Sequence, residues 1–211
     1  MPAVPQSGHA RVKVLPLARN PGIYSCNTYM VLGDWNRLED VNTLIDIGSD
    51  GYVLFEIANL STGVGKRRVE KVVFTHSHFD HAAGLKAVHK AFQPEMLAFH
   101  KFPGVTRTVT HGQLIKCGDE YLEVIYVPGH SNDSICLYCP TGGVLFSGDT
   151  PLQIKSPGGS YTRDFLTALE NIAARPVEII YPGHGDIVRT RAREGIQRTL
   201  EIVRETIGEK G

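Results

Sequence analysis

Along the first fifty residues, short apolar runs are separated by turn-forming residues: Arg11 to Leu17 before Asn20-Pro21-Gly22, Asn27 to Leu32 before Gly33-Asp34, and Thr43 to Ile47 before Gly48. Alternation of that kind predicts strands in succession. Between Gly51 and Leu60 the spacing changes. Tyr52, Leu54, Phe55 and Ala58 recur at helical intervals before Ser61-Thr62-Gly63, which predicts an amphipathic helix of about three turns.

From Val69 the order becomes a strand (Val69 to Phe74), a helix (Asp80 to Phe92), a short strand (Glu95 to Phe99) and several strands between Leu114 and Phe146. A Gly- and Pro-rich stretch, Gln153 to Ser160, precedes a helix from Thr162 to Ala173, a strand from Val177 to Tyr181 and a last helix from Arg191 to Ile207. Strands fall in two groups, each with its own helices, so a sheet-on-sheet core with helices outside is expected. The runs Val69 to His76 and Val177 to His184 share an apolar pattern ending in histidine, as corresponding strands of two similar halves would. Only the tails, Met1 to Ala10 and Gly208 to Gly211, are expected to be loosely held.

Composition narrows the function classes. At 211 residues and 42% hydrophobic, the chain can bury a substantial core and fits a single domain over 1–211. Lys plus Arg equals Asp plus Glu, 22 each, so no overall charge draws the chain to nucleic acid or anionic membrane. No signal-like N-terminus and no run long enough to span a bilayer are present, and four cysteines (Cys26, Cys117, Cys136, Cys139) are too sparse for a disulfide framework. A soluble, unexported, cytoplasmic protein is the expectation.

The chemistry is concentrated in Thr75-His76-Ser77-His78-Phe79-Asp80-His81, three imidazoles and a carboxylate between an apolar strand and a helix. On extended chain, His76 and His78 point the same way and can share one ion, while Asp80 and His81, at the turn into the helix, would meet a second. Three more strand ends repeat the theme of an apolar run, a small residue and a ligand type: Pro128-Gly129-His130, Ser147-Gly148-Asp149 and Pro182-Gly183-His184. Parallel passage of these strands through one core would gather all the ligands on one edge. Neutral imidazole and carboxylate suit Zn²⁺ and related ions, and Asp149 is the natural bridge between two of them. Two divalent ions are expected, zinc first, with iron or manganese accepted by the same ligands.

His-x-His-x-Asp-His followed in order by an isolated histidine, aspartate and histidine resembles the metallo-β-lactamase superfamily, over nearly the whole chain. The resemblance implies a four-layer αββα sandwich. It also implies His76, His78 and His130 at one metal, Asp80, His81 and His184 at the other, and Asp149 between them. Asp46, in Leu44-Ile45-Asp46-Ile47-Gly48, reads locally as either a strand-end turn residue or a support for a ligand histidine; the resemblance favours the support.

The leading expectation is hydrolysis of a small thioester, ester or lactone by a metal-bound hydroxide, with Asp80 as the catalytic residue orienting the nucleophile. Alternatives are a phosphodiesterase or ribonuclease of the same superfamily, a mononuclear iron sulfur dioxygenase, and a metal-binding protein without turnover. The motif is shared with hydroxyacylglutathione hydrolases, whose familiar forms carry a further C-terminal helical domain; the 27 residues after His184 are expected to supply one helix, so any glutathione recognition is expected to come from elsewhere. A small-molecule substrate is expected. Neutral charge disfavours nucleic acid, although small nuclease relatives end in a similar Pro-Gly-His-Gly. No membrane partner is expected, and oligomeric state is left open. Lys155, Tyr161 and Arg163 are candidate substrate contacts because their segment follows Asp149. Cys136-Leu137-Tyr138-Cys139 is read as a strand whose cysteines face opposite sides, Lys66-Arg67-Arg68 as a solvated turn, and His9, His89, His100 and His111 lack partners at chelating spacing.

Overall fold

In the computed structural model, which describes residues 12–33, 39–63 and 65–208, the apolar runs become strands, of which Thr28–Leu32, Thr43–Ile45, Lys71–Val73, Ile135–Cys139 and Val144–Gly148 are buried on both faces. The first sheet holds β1 (Lys13–Leu17), β2 (Thr28–Leu32), β3 (Thr43–Ile45), β4 (Lys71–Val73), β5 (Glu95–Ala98) and β6 (Arg107–Thr108), in that spatial order. The second holds β7 (Leu114–Cys117), β8 (Glu120–Tyr126), β9 (Ile135–Cys139), β10 (Val144–Gly148) and β11 (Ile179–Pro182), ordered β11-β10-β9-β8-β7.

Alternate residues of these strands go to different cores. Tyr29, Val31, Ile45 and Val73 from the first sheet meet Val124, Leu137, Cys139 and Phe146 from the second in a core between the sheets. Met30, Leu32, Leu44 and Val72 face the other way, into a core closed by helices α1 (Val53–Ala58), α2 (Phe79–Ala82) and α3 (Leu85–Phe92). Ile125, Cys136, Tyr138 and Leu145 face outward from the second sheet, under α4 (Arg163–Ala173) and α5 (Ala192–Gly208). Three cores between four layers make the αββα sandwich. Strands buried on both faces carry no polar alternation, which is why they read as continuous apolar runs.

The helices follow their apolar stripes. Phe165, Ala168, Leu169, Ile172 and Ala173 of α4 and Ala192, Ile196, Leu200 and Val203 of α5 occupy one core. The Thr162 hydroxyl caps α4 by accepting from Phe165 N at 3.1 Å. Two helices differ from expectation. The single helix expected from Asp80 to Phe92 is broken between α2 and α3, where a Cβ on Gly84 would lie 2.4 Å from the Asp50 carbonyl oxygen. That close approach keeps Asp80 and His81 on a separate short turn. Helix α1 has six residues rather than about three turns, and Arg68 Nη1 takes up the Ile57, Ala58 and Leu60 carbonyls near its end at 2.8, 3.0 and 3.2 Å. The strand β6, two exposed residues long, carries no periodic signal and was not expected.

Arg11, the Asp34 half of the second turn, His9 and the tails at Met1 to Ala10 and beyond Gly208 lie outside the described residues; Gly208 itself ends α5. No helix among the described residues is long and apolar enough to cross a membrane.

Candidate metal centre

Strands β10 and β11 are parallel, and β8 shares their direction because β9 runs antiparallel to both β8 and β10. Their ends therefore deliver His130, Asp149 and His184 to one edge. From the first sheet, β4 delivers His76, and Ile135 N bonds to the Thr75 carbonyl at 2.8 Å, tying the two sheets together there. The sequence makes each delivery possible with a small residue. Gly148 adopts φ +50°, and a Cβ on it would meet Thr75 Oγ1 at 2.6 Å; on Gly183 it would lie 2.2 Å from Asp149 Oδ1. Both positions require glycine for the carboxylate to lie where it does.

The side chains converge in two groups. His78 Nδ1 lies 3.0 Å from His76 Nε2 and 2.9 Å from His130 Nε2. Around a tetrahedral ion with bonds of about 2 Å, neighbouring ligand atoms are roughly 3.3 Å apart. Asp80, His81, Asp149 and His184 form the second group, with ligand atoms all within 4.8 Å of one another. His184 Nε2 is 2.9 Å from Asp80 Oδ2, and His81 Nε2 is 3.2 Å from Asp149 Oδ1. Asp149 Oδ2 also reaches the first group, at 3.4 Å from His130 Nε2 and 3.9 Å from His76 Nε2. It is the carboxylate that touches both.

Donor chemistry and geometry fit divalent ions. Two buried atoms, His81 Nε2 and Asp149 Oδ1, have no hydrogen-bond partner among the described residues, and both point into the cluster. Left bare, such atoms cost folding energy; a cation satisfies them together. His81 is 0% exposed, so no water bathes it in compensation.

Behind His81 lies a fully paired support. Asp46 Oδ2 is 2.8 Å from His81 Nδ1 and accepts the Thr75 hydroxyl at 2.8 Å, while its Oδ1 accepts Thr75 N at 2.8 Å. The carboxylate therefore fixes which His81 nitrogen carries the proton and leaves Nε2 free to bind metal. Asp46 sits at φ +55°, a conformation aspartate tolerates better than most residues. Cys26 also approaches Asp46 and His81, yet the polar atoms it meets already bond to one another and to Thr75, so the group reads as a hydrogen-bonded network under the site. Burial raises the Cys26 thiol pKa.

Burial lowers the His76 pKa from the ordinary 6.5 to about 4. For Asp149, burial opposes ionisation, but the neighbouring imidazoles of His81, His184 and His76 prevail and lower it to about 2. His76 therefore keeps a free lone pair at neutral pH. The unfolded chain takes up a proton at His76 near pH 6.5 and the folded metal-free chain only near 4, so acid favours unfolding across that window. The urea midpoint of metal-free protein is expected to fall as pH drops from about 6 to about 4. A midpoint that rises over this range would contradict the buried, neutral state of His76.

Of the three candidate substrate contacts, Tyr161 is brought to the centre. It lines a cavity of about 250 Å³ with Gly129, His130, Asp149, Pro151 and Phe165, and its ring stacks on Phe165 at 5.8 Å. Lys155 and Arg163 are exposed and line none of the cavities that adjoin the cluster. The basic run is held rather than merely solvated: Lys66 pairs with Asp40, and Arg68 caps α1. Cys136 and Cys139 do face different cores, His89 and His100 are exposed, and His111 Nδ1 accepts Tyr126 N at 3.2 Å.

Several residues that matter here carried no sequence signal. Thr75 links Asp46 to both neighbouring histidines. Asn27 and Tyr29 hold the loop before His184 through the Pro182 carbonyl, at 3.0 and 2.6 Å, across more than 150 residues of chain. Tyr24 stacks on His184 with ring centroids 5.2 Å apart.

The sequence profile described as Metallo-beta-lactamase superfamily matches residues 21–100 and 94–184. An atrochrysone carboxyl ACP thioesterase from Aspergillus fumigatus is 27% identical over 194 residues, covering 88% of this chain and 59% of that protein. A hydroxyacylglutathione hydrolase from Polaromonas is 34% identical over 142 residues, covering 62% of this chain and 54% of that protein. The chain thus spans about half the length of these curated relatives. Among solved structures, BLEG-1 B3 metallo-beta-lactamase superposes with TM-score 0.64 at 20% identity, covering 90% of this chain and 97% of that one. A metallo-beta-lactamase family protein from Thermus thermophilus gives 0.66 at 17% identity, covering 92% and 79%. Those two likenesses concern the fold.

Proposed function

Because the chain belongs to the metallo-beta-lactamase superfamily, we propose that it is a dinuclear metal-dependent hydrolase of small thioesters, with esters and lactones as related substrates. Residues 1–211 are taken as a single domain of that family. The observation that carries the reading is the pair of buried, unpartnered atoms, His81 Nε2 and Asp149 Oδ1, inside a convergence of seven ligand-type side chains. Thioesters come first because relatives are named thioesterase and hydroxyacylglutathione hydrolase.

On this reading His76, His78 and His130 hold one ion and Asp80, His81 and His184 the other, with Asp149 between. Bound there, zinc or a related divalent ion supplies an acidified water and a Lewis acid for the carbonyl under attack. The chain's own residues do the rest. Asp80 Oδ2 engages His184 Nε2 at 2.9 Å, and its carboxylate orients the attacking water toward the acyl carbon. Asp46 keeps His81 in one tautomer. Tyr161, Phe165 and Pro151 wall a pocket beside His130 and Asp149 that receives the apolar part of the substrate and excludes water from it.

A panel of a thioester, a lactone, a phosphodiester and RNA, offered to protein loaded with zinc, tests this directly. Turnover of the thioester at least about a hundred times faster than of the phosphodiester and RNA is expected, a difference of about 2.7 kcal/mol in barrier. Faster cleavage of RNA, or an inert panel with metal fully loaded, would overturn the reading.

A further inference from the structure

The loop that leads into β2 walls a second cleft, about 750 Å³, lined by Arg19, Asn20, Ile23, Tyr24 and Ser25 and ending on His184. The loop is pinned in place. Arg19 Nη1 donates to the Ser25 carbonyl at 3.0 Å, Asn20 Nδ2 to Asp50 Oδ2 at 3.0 Å, and Gly22 N to Asn20 Oδ1 at 3.0 Å. Tyr24 is 66% exposed and lies flat on His184, interplanar angle 16°, with its hydroxyl 3.4 Å from His184 Nε2. One wall of this cleft therefore leads straight to the second ligand group.

Arg19 gives the cleft its chemical character. Its guanidinium is held by the Ser25 carbonyl, a neutral partner, and no carboxylate among the described residues lies within 4.0 Å of it. Two acidic side chains that touch this stretch bond to groups other than Arg19: Asp50 to Asn20 and to Tyr52 N, and Glu56 to Ala18 N at 3.2 Å. A held arginine with spare donors in an open cleft is suited to a carboxylate or phosphate. The cavity beside the other ligand group, lined by Pro151, Tyr161 and Phe165, has no basic side chain in its wall apart from His130.

We propose that the Arg19–Ser25 cleft is the subsite for the leaving-group arm of the substrate, and that this arm carries a carboxylate or phosphate recognised by Arg19. The proposal rests on the hydrolase reading. When water's oxygen bonds to the acyl carbon and the C–S bond breaks, the sulfur leaves with the bonding pair as a thiolate, or as a thiol with a proton from that water. The acid stays on the Tyr161 side and the thiol departs along Tyr24, its anionic end on Arg19.

The test measures binding, so it does not depend on turnover. Zinc-loaded protein is titrated calorimetrically with two ligand pairs, each with one member that carries the anionic group and one in which it is removed or esterified. These are S-methyl pantetheine 4′-phosphate against S-methyl pantetheine, and S-methylglutathione against its diethyl ester. In at least one pair the anionic member is expected to bind about tenfold more tightly at low salt. Arg19→Gln is expected to erase that difference while leaving the metal content unchanged, and Arg19→Lys to restore part of it. The phosphate and carboxylate pairs separate the two anion chemistries. An anionic preference that survives in Arg19→Gln, no preference in either pair, or no binding of any of the four ligands would overturn the subsite. An inert substrate panel on the same loaded protein would instead overturn the hydrolase reading.

Discussion

Asp149→Ala is expected to abolish turnover and to lower metal content in the same protein. Asp149 Oδ1 approaches His81 Nε2 at 3.2 Å, and Oδ2 approaches His130, His184 and His76 at 3.4, 3.5 and 3.9 Å. Each of the two ligand groups therefore loses a donor with one substitution. The loss in kcat/KM should be roughly a thousandfold or more, about 4 kcal/mol of barrier, with fewer than two ions retained per chain. Far-ultraviolet circular dichroism should be unchanged, since Asp149 lies at a strand end and helps to fill no apolar core. A fully loaded, active Asp149→Ala protein would show that the two groups are not joined through this carboxylate.

Asp46→Asn should weaken metal binding without touching a metal ligand. The three groups that Asp46 accepts or meets, Thr75 N, Thr75 Oγ1 and His81 Nδ1, use both of its oxygens. An asparagine keeps the shape and tolerates φ +55°, but it turns one acceptor into a donor and removes the charge that orients His81. Affinity for the ion nearest His81 is expected to fall about 10- to 100-fold, measured by competition with a chelator. Asp46→Ala should in addition destabilise the fold by about 1–3 kcal/mol for each buried donor, on His81 and Thr75, that it leaves unsatisfied. Unaltered metal affinity in Asp46→Asn would reduce Asp46 to a strand-end turn residue.

Both predictions rest on features of unequal visibility in the sequence. The candidate ligands His76, His130, Asp149 and His184 were legible because each follows an apolar run that marks a strand end, and His78, Asp80 and His81 because they crowd behind His76 in one short motif. The glycines before Asp149 and His184 were legible as small residues, though the contacts that require them were not. Thr75, Asn27 and Tyr29 were silent. Their partners lie on other strands or loops, up to about 150 residues away, and a hydrogen bond across that separation leaves no periodic trace. The break between α2 and α3 was missed for a related reason: a single glycine within a helical pattern announces a close approach only when the approaching backbone, here the Asp50 carbonyl, is known. The segment after Asp149 illustrates the same limit. Proximity in sequence to Asp149 picked out Lys155, Tyr161 and Arg163 alike, but only Tyr161 has Phe165 to stack on and so turns toward the centre.

The central claim, two ions held by two ligand groups that share Asp149, is tested most directly by metal stoichiometry. Protein stripped with a chelator, reloaded with zinc and freed of excess should carry close to two equivalents per chain by plasma mass spectrometry. Saturation at one equivalent or fewer would contradict the account.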